Sequence, residues 1–237
     1  MIIHRRGFFG AFAAAALAAR PAPALAQGFG QGTSQEVEQW YPLLSDEGEP
    51  VANLRLPVEL FSEVEDLPGL IRAGAAAADV TVVEFFDYNC PFCRKAAGDL
   101  DALLETDGEL RLGLVNNPIL SPASKEAAAV EYAVLSQRPE AAYDFFRALF
   151  RARGTIGRER ALAAAADLGL DRAAVAREAD AGGTAEALER QLKLAASMGF
   201  SATPSFVISG TGILGYPGPK SLAAIIASVR RCDTVAC

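Results

Sequence analysis

The strongest constraint on this chain is the run Val80-Thr81-Val82-Val83-Glu84-Phe85-Phe86, which ends at Asp87-Tyr88-Asn89 and leads at once into Cys90-Pro91-Phe92-Cys93. The run is β-branched, aromatic and almost continuously apolar, the pattern of a strand buried on both faces of a sheet. Proline is favoured at the first position of a helix, where its missing N–H would be unpaired in any case. Pro91 therefore starts a helix and leaves Cys90 at the N-cap. The sulfur then faces free N–H groups and the positive end of the helix dipole, which stabilise a thiolate and lower its pKa. Along that helix Cys93, Ala96, Ala97, Leu100 and Leu104 fall on one apolar stripe, so Cys93 points toward the core. An ionisable sulfur at the helix mouth above a sheltered partner suits thiol–disulfide exchange, in which the thiolate is the attacking group.

The rest of the chain supplies the frame. A second strand is expected over 110–115. From 121 to about 197 the sequence is helical and Ala-rich, with four or so helices near 123–136, 139–151, 158–168 and 171–196, the last broken at Gly182-Gly183. Short strands at 205–209 and 213–216 flank a hairpin turn at Gly210-Thr211-Gly212, and a last helix covers 219–231. A helical block set between two halves of a small α/β core explains why strand signals stop and then resume. Upstream, Val37 to Leu44 reads as a short helix docking through Trp40 and Tyr41, with Trp40 as a packing residue. Residues 54–60 read as a strand that Pro57 pushes to a sheet edge, and 67–77 has helical composition. The organisation is therefore 1–26 export signal, 27–78 N-terminal extension, 79–120 first part of the core, 121–197 helical insertion, 198–231 second part of the core, and 232–237 a tail with a cysteine pair.

The first 26 residues carry a basic start (His4-Arg5-Arg6), an apolar stretch of about 13 residues and an Ala24-Leu25-Ala26 cleavage pattern, as in a secretory signal. That stretch is too short to span a bilayer, which takes about 20 residues. Arg5-Arg6-Gly7-Phe8-Phe9 is similar to a twin-arginine signal, with general secretion as the other route, and the exported chain is expected to begin near Gln27. Localisation is periplasmic or otherwise exported. The net charge is −7, and it deepens to −10 once the leader's three arginines are removed. An acidic surface argues against nucleic acid and anionic membranes as partners. The single histidine, His4, is in the leader, which excludes Cys-His and Ser-His catalysis and His-ligated metal from the mature chain.

Glu84-Phe85-Phe86-Asp87-Tyr88-Asn89-Cys90-Pro91-Phe92-Cys93 resembles the active-site segment of the DsbA-like family of bacterial periplasmic thioredoxin-fold proteins. Gly199-Phe200-Ser201-Ala202-Thr203-Pro204-Ser205-Phe206-Val207 resembles that family's cis-proline loop, and the likeness covers roughly residues 78–230. It implies an α/β, thioredoxin-like core with an inserted all-helical subdomain, and thiol–disulfide exchange on exported proteins in the oxidase or the isomerase/reductase direction. It also implies a cis Thr203-Pro204 bond beside the cysteines, with Pro91, Phe92, Thr203 and Pro204 shaping the site. Glu84 matches the buried acid beneath the family's active site. Its independent signal is an ionisable group in an apolar strand, where burial raises its pKa and suits it to carry protons for Cys93; a carboxylate paired with a Lys or Arg is the other reading. The implied partners are cysteine-containing exported proteins and a membrane redox partner, with no small-molecule cofactor. In some relatives an N-terminal extension like 27–78 drives oligomerisation. Two departures matter. Phe92 stands where the strong oxidase has His, which implies a Cys90 pKa nearer neutrality and a less oxidising disulfide. Thr203 before the proline resembles the isomerase and copper-tolerance branches.

Other readings remain open on the residues alone. The Cys90/Cys93 pair is half of an all-sulfur zinc site if Cys232 and Cys237 supply the rest, or it is a purely structural disulfide. Cys232 and Cys237 pair and pin the tail, stay free or intermolecular, or act as a second redox pair. The rival from another functional class is a copper(I) carrier, because soft thiolates suit that ion.

Overall fold

The computed structural model describes residues 40–237. The export signal expected over 1–26, the segment after it and the start of the helix expected from Val37 lie outside the described residues. In chain order the elements are β1 (Asn53–Arg55), α1 (Val58–Ser62), β2 (Ile71–Gly74), β3 (Val80–Phe86), α2 (Pro91–Thr106), β4 (Leu110–Asn116), α3 (Pro122–Gln137), α4 (Ala142–Arg151), α5 (Arg158–Asp167), α6 (Arg172–Ala179), α7 (Gly182–Ser197), β5 (Ser205–Ile208), β6 (Thr211–Leu214) and α8 (Pro219–Cys232). The strands form one sheet in the order β1-β6-β5-β3-β4-β2. β3 and β4 are parallel and α2 crosses between them, while the other neighbours are antiparallel.

The two-residue period of a strand sorts β3 into two faces. Val80, Val82 and Phe86 pack with Cys93, Ala96 and Leu100 of α2 and with Leu222, Ile225 and Ile226 of α8. Val83 and Phe85 pack on the other side with Leu194 and Met198 and with Phe200. Glu84 shares the parity of Val82 and Phe86, so the strand directs it beneath α2, toward Cys93.

Helices α3 to α7 lie between β4 and β5, and they match the expected helical block closely. Ser121 caps α3 and Asp171 caps α6, each accepting a backbone N–H from three residues on, a contact that typically contributes about 1 kcal/mol. The break in the last expected helix falls at Asp180 and Ala181, and the two glycines begin α7 instead of interrupting it. Phe146 and Phe150 of α4 reach the end of β3. Their ring centroids lie 5.0 and 5.7 Å from that of Phe86, and Phe150 lies 5.0 Å from Tyr88. Such aromatic pairs contribute about 0.5–1.5 kcal/mol each beyond area burial, so the block is anchored at the turn that carries the cysteines.

The segment ahead of β3 differs most from expectation. The helix expected over 67–77 is instead the edge strand β2, paired with β4. Gly74 sits at φ +92°, where a Cβ would come within 2.4 Å of the Leu110 carbonyl; that backbone is closely packed and cannot continue a right-handed helix. The strand expected over 54–60 stops at Arg55, and Pro57 caps the short α1. Residues 40–44 are not helical. Trp40 N–H donates to the Asn53 carbonyl at 3.0 Å, and Leu44 bridges to Pro50. Trp40 is 62% exposed instead of packed. The segment 27–78, expected as an extension beside the core, thus supplies both edge strands of the sheet. The hairpin turn is Ser209-Gly210, both at positive φ, the two-residue geometry that matches strand twist. β6 therefore starts at Thr211, earlier than expected.

Candidate active site

Strand β3 carries the chain into the turn at 87–89, and Pro91 opens α2 with Cys90 in extended conformation at the N-cap. The Asp87 carbonyl accepts the Cys90 N–H at 3.0 Å, which fixes the sulfur over the helix mouth. Cys90 is 4% exposed, Cys93 is fully buried, and Phe92 between them is 63% exposed. Neither cysteine is disulfide-bonded in this structure, so their sulfurs represent the reduced pair. The peptide bond between Thr203 and Pro204 is cis, and the Cys90 thiol donates to the Thr203 carbonyl at 3.1 Å. Two motifs 113 residues apart thus meet at one sulfur.

The electrostatics separate the two thiols. Cys90 is drawn down to about 5, first by the hydrogen bond from Cys93, then by the Thr203 side chain and the N–H groups of Cys93 and Phe92, with burial opposing. With Phe92 standing in place of His, this value lies nearer neutrality than the strong oxidase's, which is about 3.5, yet well below the ordinary thiol range. The donors around the sulfur do the work assigned to an imidazolium. Cys93 is driven far above the ordinary thiol range, chiefly by burial, then by its hydrogen bond to Cys90 and the charge of Glu84. Glu84 is fully buried, and neither carboxyl oxygen has a hydrogen-bond partner among the described residues. Burial raises its pKa well above the carboxylate range, with the charge of Cys90 adding to the effect. The Lys or Arg partner considered for Glu84 is absent among the described residues. What the strand places under Cys93 is a carboxyl group whose protonated form burial favours.

The helical block holds the turn from the other side. The Asn89 side chain donates to the Ser124 hydroxyl at 3.0 Å and to the Ile156 carbonyl at 2.9 Å, and accepts the Ile156 N–H at 2.8 Å. Arg94 donates to the carbonyls of Phe150 and Ala152, and the Asp87 carboxylate accepts the N–H groups of Asn89 and Leu120. A groove of about 580 Å³ opens beside Cys90, lined by Asn89, Pro91, Arg94, Leu120, Ser121 and Thr155 among others. Sequence reasoning misses Asn89, Arg94, Leu120 and Thr155. Asn89 reads locally as a turn residue and no more, Arg94 as one more charged position on α2 one turn from Cys90, and nothing nearby in the chain ties Leu120 or Thr155 to Cys90.

Cys232 and Cys237 are bonded to each other, with Cα atoms 6.5 Å apart. A four-thiolate zinc site would require that bond to be broken. Among the described residues no group of three or more His, Cys, Asp or Glu side chains is placed to hold a metal ion, and no helix is long and apolar enough to cross a membrane.

A family model described as thioredoxin matches residues 67–228. A thioredoxin-like oxidoreductase from Silicibacter pomeroyi DSS-3 superposes with a TM-score of 0.67 at 31% identity, covering 72% of this chain and 98% of that one. Two curated relatives match over part of their length. The Na(+)/H(+) antiporter NhaA of Herminiimonas arsenicoxydans is 29% identical over 184 residues, which is 78% of this chain and 29% of that protein. Disulfide bond formation protein D of Bacillus subtilis (strain 168) is 33% identical over 81 residues, 32% of this chain and 36% of that one. The chain thus aligns with about a third of the length of each curated relative.

Proposed function

The chain belongs to the thioredoxin family, and from that premise we propose that it exchanges thiols and disulfides with cysteine-containing exported proteins through Cys90 and Cys93. The observation that carries this reading is one sulfur lowered to about 5 at the mouth of α2, beside the Thr203–Pro204 segment, with a second thiol held protonated beneath it. In the oxidising direction a substrate thiolate attacks Cys90 of the Cys90–Cys93 disulfide. The S–S bond breaks and its electron pair passes to Cys93, which takes a proton. A second substrate thiolate then attacks the substrate sulfur of the mixed disulfide and releases Cys90 as a thiolate. The substrate loses two electrons and the cysteine pair gains them; of the two protons the substrate thiols give up, one ends on Cys93 and the other goes to solvent, since Cys90 stays a thiolate. In the reverse direction the Cys90 thiolate opens a substrate disulfide and Cys93 resolves it. Glu84 supplies or takes the Cys93 proton, because it is the acid beneath that thiol. The Thr203–Pro204 backbone receives the extended substrate segment in strand fashion.

The name of the Bacillus subtilis relative supports the same chemistry, as does the likeness to the Silicibacter oxidoreductase. The test is equilibration in glutathione buffers together with insulin reduction and oxidative refolding of a reduced substrate. The expected potential lies between about −270 mV and about −120 mV, the values of thioredoxin and of the strong oxidase, because the Cys90 pKa lies between theirs. Cys90→Ser abolishes turnover. A potential below about −300 mV, where structural disulfides sit, or turnover surviving in the Ser variant, would overturn the proposal.

A further inference from the structure

One acid near the site has no part in that scheme. Glu131 of α3 is 2% exposed. One carboxyl oxygen accepts the hydroxyl of Tyr88, and the other accepts the Asn116 side-chain amide at 2.9 Å. The two donors come from different parts of the core: Tyr88 lies in the turn two residues before Cys90, and Asn116 ends β4. A buried carboxyl group facing two neutral donors is costly unless its hydrogen bonds are kept. Burial lifts its pKa to about 7. A hydrophobic residue would fill this place on the apolar face of α3, beside Ala127, Val130 and Val134, without that cost. The chain nevertheless keeps an acid there.

Tyr88 is held over its whole length. Its ring is fully buried against Phe86 and Phe150 at 5.1 and 5.0 Å between centroids, and its hydroxyl ends on Glu131. The next residue, Asn89, is fixed by Ser124 of the same helix and by Ile156. The residue after it is Cys90, whose thiolate depends on N–H groups of Phe92 and Cys93 aimed from the first turn of α2. Hydrogen bonds weaken steeply with misalignment, so a small shift of the turn separates sulfur from donors.

From this we propose that Glu131 is a positioning residue of the thiol–disulfide reaction: through Tyr88 and Asn116 it fixes the turn that aims the Cys90 sulfur at the N-terminus of α2. The inference rests on the function proposed above. It makes α3 part of the apparatus that sets the reactivity of Cys90, not only a cover for the sheet.

The test uses the full chain. Cys90 ionisation is read from thiolate absorbance against pH, the Cys90–Cys93 potential from glutathione equilibration, and stability from thermal unfolding. Glu131→Ala is expected to raise the Cys90 pKa by about one unit, roughly tenfold less thiolate at a given pH, the scale of one weakened hydrogen bond to a charged group. Tyr88→Phe, which keeps the packed ring, shifts it in the same direction. Glu131→Gln restores the wild-type value, because its carbonyl accepts from Tyr88 and its amide bonds Asn116 after that side chain rotates. As a control, Gln191→Ala removes a buried hydrogen bond to Pro68 and lowers stability without moving the Cys90 pKa.

Three results would overturn the proposal. One is a folded Glu131→Ala protein with an unmoved Cys90 pKa, or, should that variant not fold, an unmoved pKa in Tyr88→Phe. The second is a shift no larger than that of Gln191→Ala. The third is a Cys90 pKa in Glu131→Gln below wild type, which would make Glu131 a charge instead of a support. Loss of exchange activity in the wild-type protein is a separate result and would remove the functional reading itself.

Discussion

Thr203→Val isolates one donor to the Cys90 sulfur. The Thr203 hydroxyl is buried and has no hydrogen-bond partner among the described residues while Cys90 carries its proton, so removing it leaves nothing else unpaired. It does not bond a protonated sulfur, since that thiol donates to the Thr203 carbonyl; it stabilises the thiolate. A thiol whose pKa is lowered on folding contributes stability that is complete above its unfolded value and is lost as pH falls through the folded one. For Cys90 that window runs from 9.0 down to about 5. At pH 7, two units above the lower bound, the thiolate stabilises the reduced protein by roughly 3 kcal/mol, or about 2 once solvent reaching the groove is allowed for. The disulfide form has no such charge. The difference therefore appears as a potential raised by about 40 mV, since about 30 mV corresponds to 1.4 kcal/mol for two electrons.

Losing one of the donors should raise the Cys90 pKa by about one unit. The potential should then fall by about 20 mV after the same allowance. Absorbance titration and glutathione equilibration of the two proteins measure both quantities. The oxidised Thr203→Val protein should unfold no more easily than oxidised wild type, because the lost contact exists only with a thiolate and the hydroxyl it replaces is buried and unpaired. If the pKa stays in place, or the potential rises, Thr203 does not support the charge and the assignment of donors around Cys90 is wrong.

Two further changes test other parts of the site. Glu84 has its pKa raised on folding. The acid form is therefore favoured in the folded protein, and the cost of this group grows as pH climbs from the ordinary carboxylate range toward its folded value. Glu84→Gln should be more stable than wild type in urea at pH 7.5, with a smaller gap at pH 5, and should resolve mixed disulfides more slowly; a gap independent of pH would contradict the buried-acid reading. Replacing Cys232 and Cys237 together by Ser should lower stability by about 2 kcal/mol, the scale for so short a loop, and leave insulin reduction unchanged. A drop in turnover would make that pair a second redox centre.

Chemistry confined to one stretch of chain is legible before any coordinates. Pro91 after a buried strand places Cys90 at an N-cap, and the helical period turns Cys93 inward; both follow from rules acting over a few residues. Glu84 is visible because an acid inside an apolar strand has no ordinary explanation. The region ahead of β3 misleads because composition there favours a helix, while the positive φ of Gly69 and Gly74 breaks any helix and pairing with β4 makes the residues between them a strand. Edge strands take their identity from the partner, and the partner of β2 lies some 40 residues away along the chain.

Glu131 shows where the same logic stops short. Ala127, Val130, Glu131 and Val134 lie on one helical face, so an acid interrupts an apolar stripe just as Glu84 interrupts an apolar strand. The signal is present, but an Ala-rich helix tolerates an exposed acid, and the stripe alone does not say what covers it. The covering residues, Tyr88 and Asn116, lie 43 and 15 positions away. The two buried acids also differ in kind. Glu84 has no hydrogen-bond partner among the described residues, which suits a group that must gain and lose a proton. Glu131 has a donor on each oxygen, which suits one that must hold its place. Burial makes an acid noticeable, and the state of its hydrogen bonds separates a proton carrier from a strut.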